Sequence, residues 1–227
     1  MPTQTGKYLL GLFLFSTSIA LNSCTKNLTK RTEIYFNNFE QSNVAGLQIY
    51  DAVGLVDNNR LHTFDNSRVF GPFNSLYVYY EKSNLPEHNV IRVEADLYIH
   101  DAWTGNQVRT GGYPDLWIVQ VGSSYPLIAT FSNTPGMMQS FPDNFDANIT
   151  MHPPGGNSWN KQLPGLCRLK QDPNGSAMYK VEIVVAHSDS KLTLAFTDLL
   201  QEKNSECDRS WSLDNVRIVA EKYGSGL

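Results

Sequence analysis

The sequence predicts an all-β fold, a sandwich of two antiparallel sheets. Hydrophobic residues recur every second position along most of the chain, which is the pattern of half-buried strands. Turn-forming residues separate these segments, and no window shows the 3.6-residue period of an amphipathic helix. With 227 residues, 41% of them hydrophobic and 11% aromatic, the chain has enough apolar material for one globular core.

The strongest strand signal covers residues 90–99, where aliphatic and polar side chains alternate. Residues 178–187 and 191–197 alternate in the same way, with a polar hairpin turn at 187–190. Weaker strand candidates are residues 33–36, 46–51, 61–64, 75–80, 116–121, 127–131 and 211–219. Turns are predicted at 57–59, 71–72, 111–112 and 172–175. Residues 132–165, rich in Pro, Asn and Gly, predict a binding loop or a partly disordered insertion.

The N-terminus has the features of an export signal. Lys7 precedes an apolar stretch, residues 8–20, that is short for a membrane span. The stretch ends in Leu21-Asn22-Ser23-Cys24, which resembles the lipobox of bacterial lipoproteins, although Asn22 departs from the usual small or aliphatic residue. The resemblance implies a signal peptide over 1–23 and a lipid on Cys24. Ordinary cleaved secretion and an uncleaved anchor are the alternatives.

This organisation places a lipidated tether at 24–31, a β-sandwich domain at 32–222 and a short tail at 223–227. Membrane attachment would be through the lipid anchor alone. Thr25 stands where Asp would retain a lipoprotein in the inner membrane, so the resemblance to Gram-negative lipoprotein sorting implies an outer-membrane location in the cell envelope.

The three cysteines agree with this interpretation. An odd cysteine in an exported protein requires an explanation, and lipidation of Cys24 leaves Cys167 and Cys207 as an even pair in an oxidising compartment. A disulfide between them is predicted. Two unpaired thiols are the alternative, because sequence does not show whether their Cα atoms lie close enough.

Two motifs stand at the ends of the predicted domain. Phe36-Asn37-Asn38-Phe39-Glu40 closes the first strand, and Trp211-Ser212-Leu213-Asp214-Asn215-Val216 lies in the last. Together they resemble the terminal motifs of jelly-roll carbohydrate-binding modules of the galactose-binding-like type. The resemblance implies a jelly-roll order of strands, with the two terminal strands side by side.

The same resemblance implies a structural calcium ion, Ca2+, between those strands. Carried over by position, Glu40 and Asp214 become candidate carboxylate ligands, and Asn38 and Asn215 could add amide oxygens. Calcium takes six to eight oxygens, so backbone carbonyls would have to complete the shell. The alternative is that Glu40 is a solvated turn residue and Asp214 a local hydrogen-bond acceptor.

The middle of the chain resembles a second group, the uncharacterised secreted β-sandwich domains of environmental bacteria. The motifs concerned are 101–106 (DAWTGN), 114–117 (PDLW), 130–133 (TFSN) and 211–216 (WSLDNV). This resemblance implies the same fold and export, and it implies no activity.

Exposed aromatic rings beside hydrogen-bonding groups are the usual platforms for sugars. Trp103 is predicted to be such a platform, on a polar turn with Asp101 and Asn106. Tyr113 and Trp159 are further candidates. The alternative is that these rings cap the ends of the core. Trp117 and Trp211 lie within predicted strands and should be buried.

Several function classes find little support. The net charge is −4 and basic residues form no run, which argues against nucleic-acid binding. Glu94-Ala95-Asp96 begins the E-x-D-x-x-E motif of sandwich-fold glycosidases, but the third carboxylate position holds Ile99. The five histidines never take a zinc-ligand spacing, and no nucleophile-elbow or nucleotide-binding motif occurs.

The sequence therefore predicts a non-catalytic cell-envelope lipoprotein module that binds a glycan or another surface ligand. A structural or adhesive envelope protein that binds another protein is the alternative, and a glycan-active enzyme is the third possibility. An exposed row of aromatic side chains would favour the first, a contiguous apolar patch the second, and converging carboxylates in a cleft the third.

Overall fold

The computed structural model describes residues 27–57, 59–108, 111–146, 151–200 and 205–224. The predicted signal peptide (1–23) and residues 24–26 of the predicted tether, Cys24 among them, lie outside these ranges. The described residues form thirteen strands and no helix. In chain order the strands are β1 Leu28–Asn37, β2 Leu47–Tyr50, β3 Leu55–Val56, β4 Leu61–Phe64, β5 Ser67–Phe73, β6 Tyr77–Ser83, β7 Val90–Asp101, β8 Leu116–Val121, β9 Ser124–Ala129, β10 Asn160–Leu163, β11 Ser176–Ala186, β12 Lys191–Leu199 and β13 Arg209–Tyr223.

The strands form two antiparallel sheets, which confirms the predicted fold class. The larger sheet has the order β10-β11-β7-β13-β5-β4, with β1 paired to the far half of β13. The smaller sheet has the order β3-β2-β6-β12-β8-β9. From β5 onward the chain crosses between the sheets repeatedly, as a jelly roll does. In the described parts of the chain, no helix is long and apolar enough to span a membrane.

The core lies between the sheets and follows from the alternation in the sequence. Inward positions of β7, β12 and β13 carry aliphatic and aromatic side chains that are almost completely buried. Trp117 and Trp211 are both 0% exposed and meet edge-to-face at 5.9 Å, as predicted for strand tryptophans. Burial of each such large side chain stabilises the fold by roughly 1.5–3 kcal/mol.

The structure moves two predicted boundaries. β1 begins at Leu28, which pairs with Tyr223, so part of the predicted tether (24–31) and of the predicted tail (223–227) belongs to the sheet. The physical reason is the length of β13. β13 has fifteen residues, and β1 pairs with residues 216–223 of it. Without β1, the backbone N–H and C=O groups on that side of β13 would have no ladder partners, which is costly where they are buried.

β5 was not predicted, because its Gly71-Pro72 dipeptide predicts a turn. Instead the strand continues through both residues and pairs with β4 and β13. Gly71 permits this close approach: a Cβ there would lie 2.4 Å from the Ser212 Oγ. The short strands β3 and β10 were also missed. β10 falls inside the predicted 132–165 loop, whose described residues further include an antiparallel bridge between Gln139 and His152.

The predicted disulfide is present between Cys167 and Cys207 and joins positions 40 residues apart. It fixes the 164–170 loop to the segment before β13. Asp101 holds the same loop in place. Its carboxylate accepts hydrogen bonds from the backbone N–H groups of Cys167 and Leu169, the latter at 2.8 Å.

Candidate functional site

The outer face of the smaller sheet carries a row of tyrosines over an open groove of about 1140 Å3. We call this groove, lined in part by Gln48, Tyr50, Tyr77, Tyr79 and Glu81, the tyrosine groove. Strand alternation produces the row. On β6, Val78 and Tyr80 are buried in the core, so the side chains of residues 77 and 79 point outward.

Pairing between β2 and β6 brings the row together. Gln48 lies opposite Tyr79, and Tyr50 lies opposite Tyr77. On the other side of β6, Tyr79 pairs with Ala195 of β12. Ala195 is buried and Tyr79 is half-buried at this point of the sheet. Tyr77 is 49% exposed, and Tyr50, like Tyr79, is half-buried.

The tyrosine rings are held in place by one another and by hydrogen bonds. Tyr50 and Tyr79 meet edge-to-face, with centroids 6.1 Å apart and an interplanar angle of 87°, a favourable arrangement for aromatic pairs. The Tyr79 hydroxyl donates to Glu81 Oε2 at 2.8 Å, and the Tyr50 hydroxyl donates to Gln48 Oε1 at 3.1 Å. Side chains fixed in this way lose less entropy when a ligand binds.

The electrostatics of the groove centre on Glu81. Its second oxygen, Oε1, lies 3.0 Å from Lys191 Nζ. The hydrogen bonds from Lys191 and Tyr79 lower the pKa of Glu81. Partial burial, followed by the hydrogen bond to Glu81, raises the pKa of the Tyr79 phenol. Glu81 is therefore ionised and Tyr79 protonated at neutral pH.

The prediction that Trp103 is an exposed platform for a sugar is wrong. It is 0% exposed, its Nε1 donates to the Ser210 carbonyl at 3.0 Å, and its ring packs edge-to-face with Phe131. The alternative that this ring belongs to the core is the correct one. The turn after β7 is polar in sequence, but the chain that follows β9 covers it, as the bridge between Thr104 and Ser132 shows.

The polar neighbours of Trp103 also have structural roles. Asp101 is 0% exposed and holds the disulfide loop, and burial raises the pKa of its carboxyl. Asn106 accepts a hydrogen bond from the Thr130 hydroxyl. The predicted sugar site at residues 101–106 is therefore not formed, because these side chains bind the protein's own backbone and loops.

Tyr113 and Trp159 are exposed, at 37% and 71% respectively. Trp159 belongs to the larger sheet's side of the sandwich, since its backbone N–H donates to the Met178 carbonyl of β11. Lys180 Nζ lies 5.2 Å from the centre of its ring. Neither residue lines the tyrosine groove, so the structure does not unite the predicted ligand-binding residues in one site.

The structure does bring Glu40 and Asp214 together. Glu40 Oε1 lies 2.9 Å from the Ser67 hydroxyl oxygen, and Asp214 Oδ2 lies 2.8 Å from it. A hydroxyl has one proton, so it donates to only one of these carboxylates at a time. Burial raises the pKa of Asp214, and the backbone N–H of Arg68 lowers the pKa of Glu40.

The two asparagines predicted as calcium ligands have other contacts. Asn38 Oδ1 accepts from the backbone N–H of Glu40 at 3.4 Å, and Asn215 Nδ2 donates to Asp96 Oδ2 at 2.8 Å. Within the described ranges, no group of three or more His, Cys, Asp or Glu side chains could hold a metal ion. Backbone and amide oxygens would have to supply the remaining ligands.

The carboxylates of the partial glycosidase motif lie on the outer face of the larger sheet. Asp96 pairs with Lys180 at 2.9 Å, and Glu94 lies 3.7 Å from Arg217 and 3.8 Å from Arg31. Cations therefore engage both acids, which is the ordinary condition of charged side chains on a solvated sheet face.

The tyrosine groove was not predicted from the sequence, although the alternation of residues in two strands indicates it. Residues 77–80 read Tyr-Val-Tyr-Tyr and 47–50 read Leu-Gln-Ile-Tyr. If Val78 and Ile49 face the core, then Tyr77, Tyr79 and Tyr50 must face outward. Assigning faces to these two weak strand candidates would have identified the aromatic row, but not the pairing that makes it continuous.

Comparisons with known proteins add little. No family model and no curated protein matches the chain. Among solved structures, a family 35 carbohydrate-binding module from Clostridium thermocellum shares 10% identity, with a TM-score of 0.32 over 77% of this chain and 98% of that one. The C-terminal family 6 module of a laminarinase from Zobellia galactanivorans shares 9%, with a TM-score of 0.32 and the same coverage.

An adhesin domain of Lys-gingipain shares 15% identity, with a TM-score of 0.33 over 85% of this chain and 98% of that one. Scores this low carry no inference about ligand or activity.

Proposed function

We propose that this protein is a non-catalytic module that binds glycans at the tyrosine groove. The observation that carries the proposal is the outward-facing row formed by Tyr50, Tyr77 and Tyr79 on adjacent strands, in which Tyr77 is exposed and the other two rings are half-buried. Sugars present apolar C–H faces that pack on aromatic rings, while their hydroxyls donate hydrogen bonds to, or accept them from, groups at the ring edges. Gln48 and the two hydrogen-bonded phenols supply such groups.

The mechanism is reversible capture without chemistry. The rings are already held in position, so a sugar chain would bind across β2 and β6 with little rearrangement. A groove that stacks only a few sugar units binds weakly on its own. Several copies displayed on one envelope would bind a polysaccharide much more tightly through multivalency.

The first test is binding of the purified protein to a panel of polysaccharides, with Tyr79→Ala beside the wild type. Loss of the ring should weaken binding at least about tenfold, the effect of roughly 1.4 kcal/mol in a well-packed aromatic contact. Tyr125→Ala is the matched control, since Tyr125 is 54% exposed on the same sheet but lies outside the groove. Failure of the folded protein to bind any glycan would refute the proposal.

We also propose that a structural calcium ion joins the chain ends at Glu40 and Asp214. The contact of both carboxylates with Ser67 supports it. The single hydroxyl proton of Ser67 can bond to only one carboxylate at a time, and a cation would offset the remaining repulsion between the two carboxylates. Chelator should then lower the melting temperature of the wild type, whereas Glu40→Gln and Asp214→Asn should each be insensitive to chelator. Asp189→Asn, at an exposed hairpin carboxylate, is the control. A wild-type melting temperature unchanged by chelator would exclude the ion.

The envelope location is proposed from the sequence alone. A lipid on Cys24 would hold the module at the outer membrane with its groove free to meet extracellular or periplasmic polymers. Cys24→Ala should move the protein from the membrane to the soluble fraction of cells that express it. Unchanged fractionation would exclude lipid anchoring.

A further inference from the structure

The tyrosine groove has a definite hydrogen-bonding polarity. An ionised carboxylate is only an acceptor, so the proton between Tyr79 and Glu81 belongs to the phenol. The Tyr50 hydroxyl likewise donates its one proton to Gln48 Oε1. Both phenol oxygens can therefore offer only lone pairs to a ligand, and the Gln48 amide nitrogen offers N–H groups.

The charges at the groove are nearly balanced. Glu81 and Lys82 are the charged side chains among the described residues that line it, and Lys191 neutralises Glu81 from the adjoining strand. No arginine belongs to this lining. Carboxylates and sulfates are usually bound by arginine forks or clusters of cations. Because Glu81 engages Lys191, Lys82 is the one remaining cation of this lining, and a single lysine is not such a cluster.

We propose that the tyrosine groove takes a neutral, hydroxyl-rich polysaccharide chain rather than one that carries uronate or sulfate groups. This inference rests on the proposed glycan-binding function and names its substrate class. A sugar hydroxyl can donate to a phenol oxygen and accept from Gln48, which satisfies both kinds of group. A carboxylate or sulfate can only accept, and it would face the phenol lone pairs and the Glu81 anion.

The test compares the purified protein with neutral polysaccharides (β-glucan, xylan and galactan) and acidic ones (alginate, polygalacturonate and sulfated galactan). Calorimetry at low and at high salt measures each affinity. At least one neutral chain should bind at least about tenfold more tightly than any acidic one. Its affinity should change little with salt, because the contacts are stacking and neutral hydrogen bonds.

Two substitutions test the proton arrangement directly. Tyr79→Phe keeps the ring and removes the phenol oxygen, so affinity for the neutral chain should fall about twofold to tenfold, the effect of one hydrogen bond. Glu81→Gln removes the anion and frees Lys191, so affinity for the acidic chains should rise. The Tyr125→Ala protein should match the wild type in every titration.

Separate results overturn separate parts. Acidic chains that bind as tightly as neutral ones, with strong salt dependence and sensitivity to Tyr79→Ala, would refute the neutral class and leave glycan binding at this site intact. Glycan binding that survives Tyr79→Ala would refute the site. A folded protein that binds no member of either set would refute both the inference and the function on which it rests.

Discussion

His100 should control the stability of this protein at acidic pH. The imidazole is 0% exposed on β7. Its Nδ1 lies 3.1 Å from Ser176 Oγ and its Nε2 lies 3.0 Å from Ser212 Oγ, while Phe64 packs against it with centroids 4.6 Å apart. Burial, with a smaller contribution from His62, lowers the pKa of His100 from 6.5 to about 3. The native state therefore holds this ring neutral.

The sign of the effect follows from proton linkage. Between about pH 3 and 6.5 the unfolded chain binds a proton on His100 that the native state does not. The stability contributed by the neutral ring is fully present above pH 6.5 and is lost as pH falls. Each pH unit in this window costs about 1.4 kcal/mol, which gives about 3 kcal/mol between pH 6.5 and 4.5 and about 5 kcal/mol over the whole window.

The perturbation is His100→Gln, because the amide can still donate to one serine hydroxyl and accept from the other. Urea unfolding followed by tryptophan fluorescence at several pH values between 7.5 and 4.5 gives the free energy of unfolding of each protein. The wild type should lose stability on acidification more steeply than the variant, by up to about 3 kcal/mol at pH 4.5. His152→Gln controls for removal of a histidine from the accessible 132–165 loop.

Parallel pH profiles for the wild type and His100→Gln would refute this reasoning. A His100 ring signal that titrates near pH 6.5 in the folded protein would refute it as well, since it would mean that water reaches the ring. A native titration far below pH 6.5, together with divergent profiles, would support it.

Three further predictions follow from the buried contacts. Cys207→Ser should lower the free energy of unfolding in urea by about 4 kcal/mol, the loop-closure effect for a separation of 40 residues, and a loss below about 1 kcal/mol would contradict it. Burial raises the pKa of Asp198 to about 6, so stability from this group is present below pH 3.8 and lost as pH rises through 6. Asp198→Asn, which disturbs the bonds from Ser75 and Trp211, should therefore be more destabilising at pH 4 than at pH 7, by up to about 3 kcal/mol, and a pH-independent cost would argue against it. Trp103→Phe should lower the free energy of unfolding by about 2–4 kcal/mol, because it leaves a cavity and removes a hydrogen bond. It should leave glycan affinity unchanged. A folded variant with reduced affinity would contradict the structural role of this ring.

The fold class and most of the strands could be predicted from the amino-acid sequence. Side chains alternate across a strand, so a chain with hydrophobic residues at every second position can bury them only in a sheet. The strands at residues 61–64 and 116–121 were predicted with their observed bounds. The cysteine count likewise predicted the Cys167–Cys207 pair, because parity and compartment depend on composition and not on tertiary contacts.

The solvent exposure of the aromatic residues could not be predicted in this way, because it depends on contacts between distant segments. Trp103 follows a strand in a polar turn, yet the 131–134 segment folds over it, and exposure depends on that long-range contact. The tyrosine groove arises from the opposite situation. Residues 48 and 79, distant in sequence, become neighbours through the pairing of β2 with β6. Alternation specifies the face of a side chain, but sheet order and register specify its neighbours, and a binding site consists of neighbours.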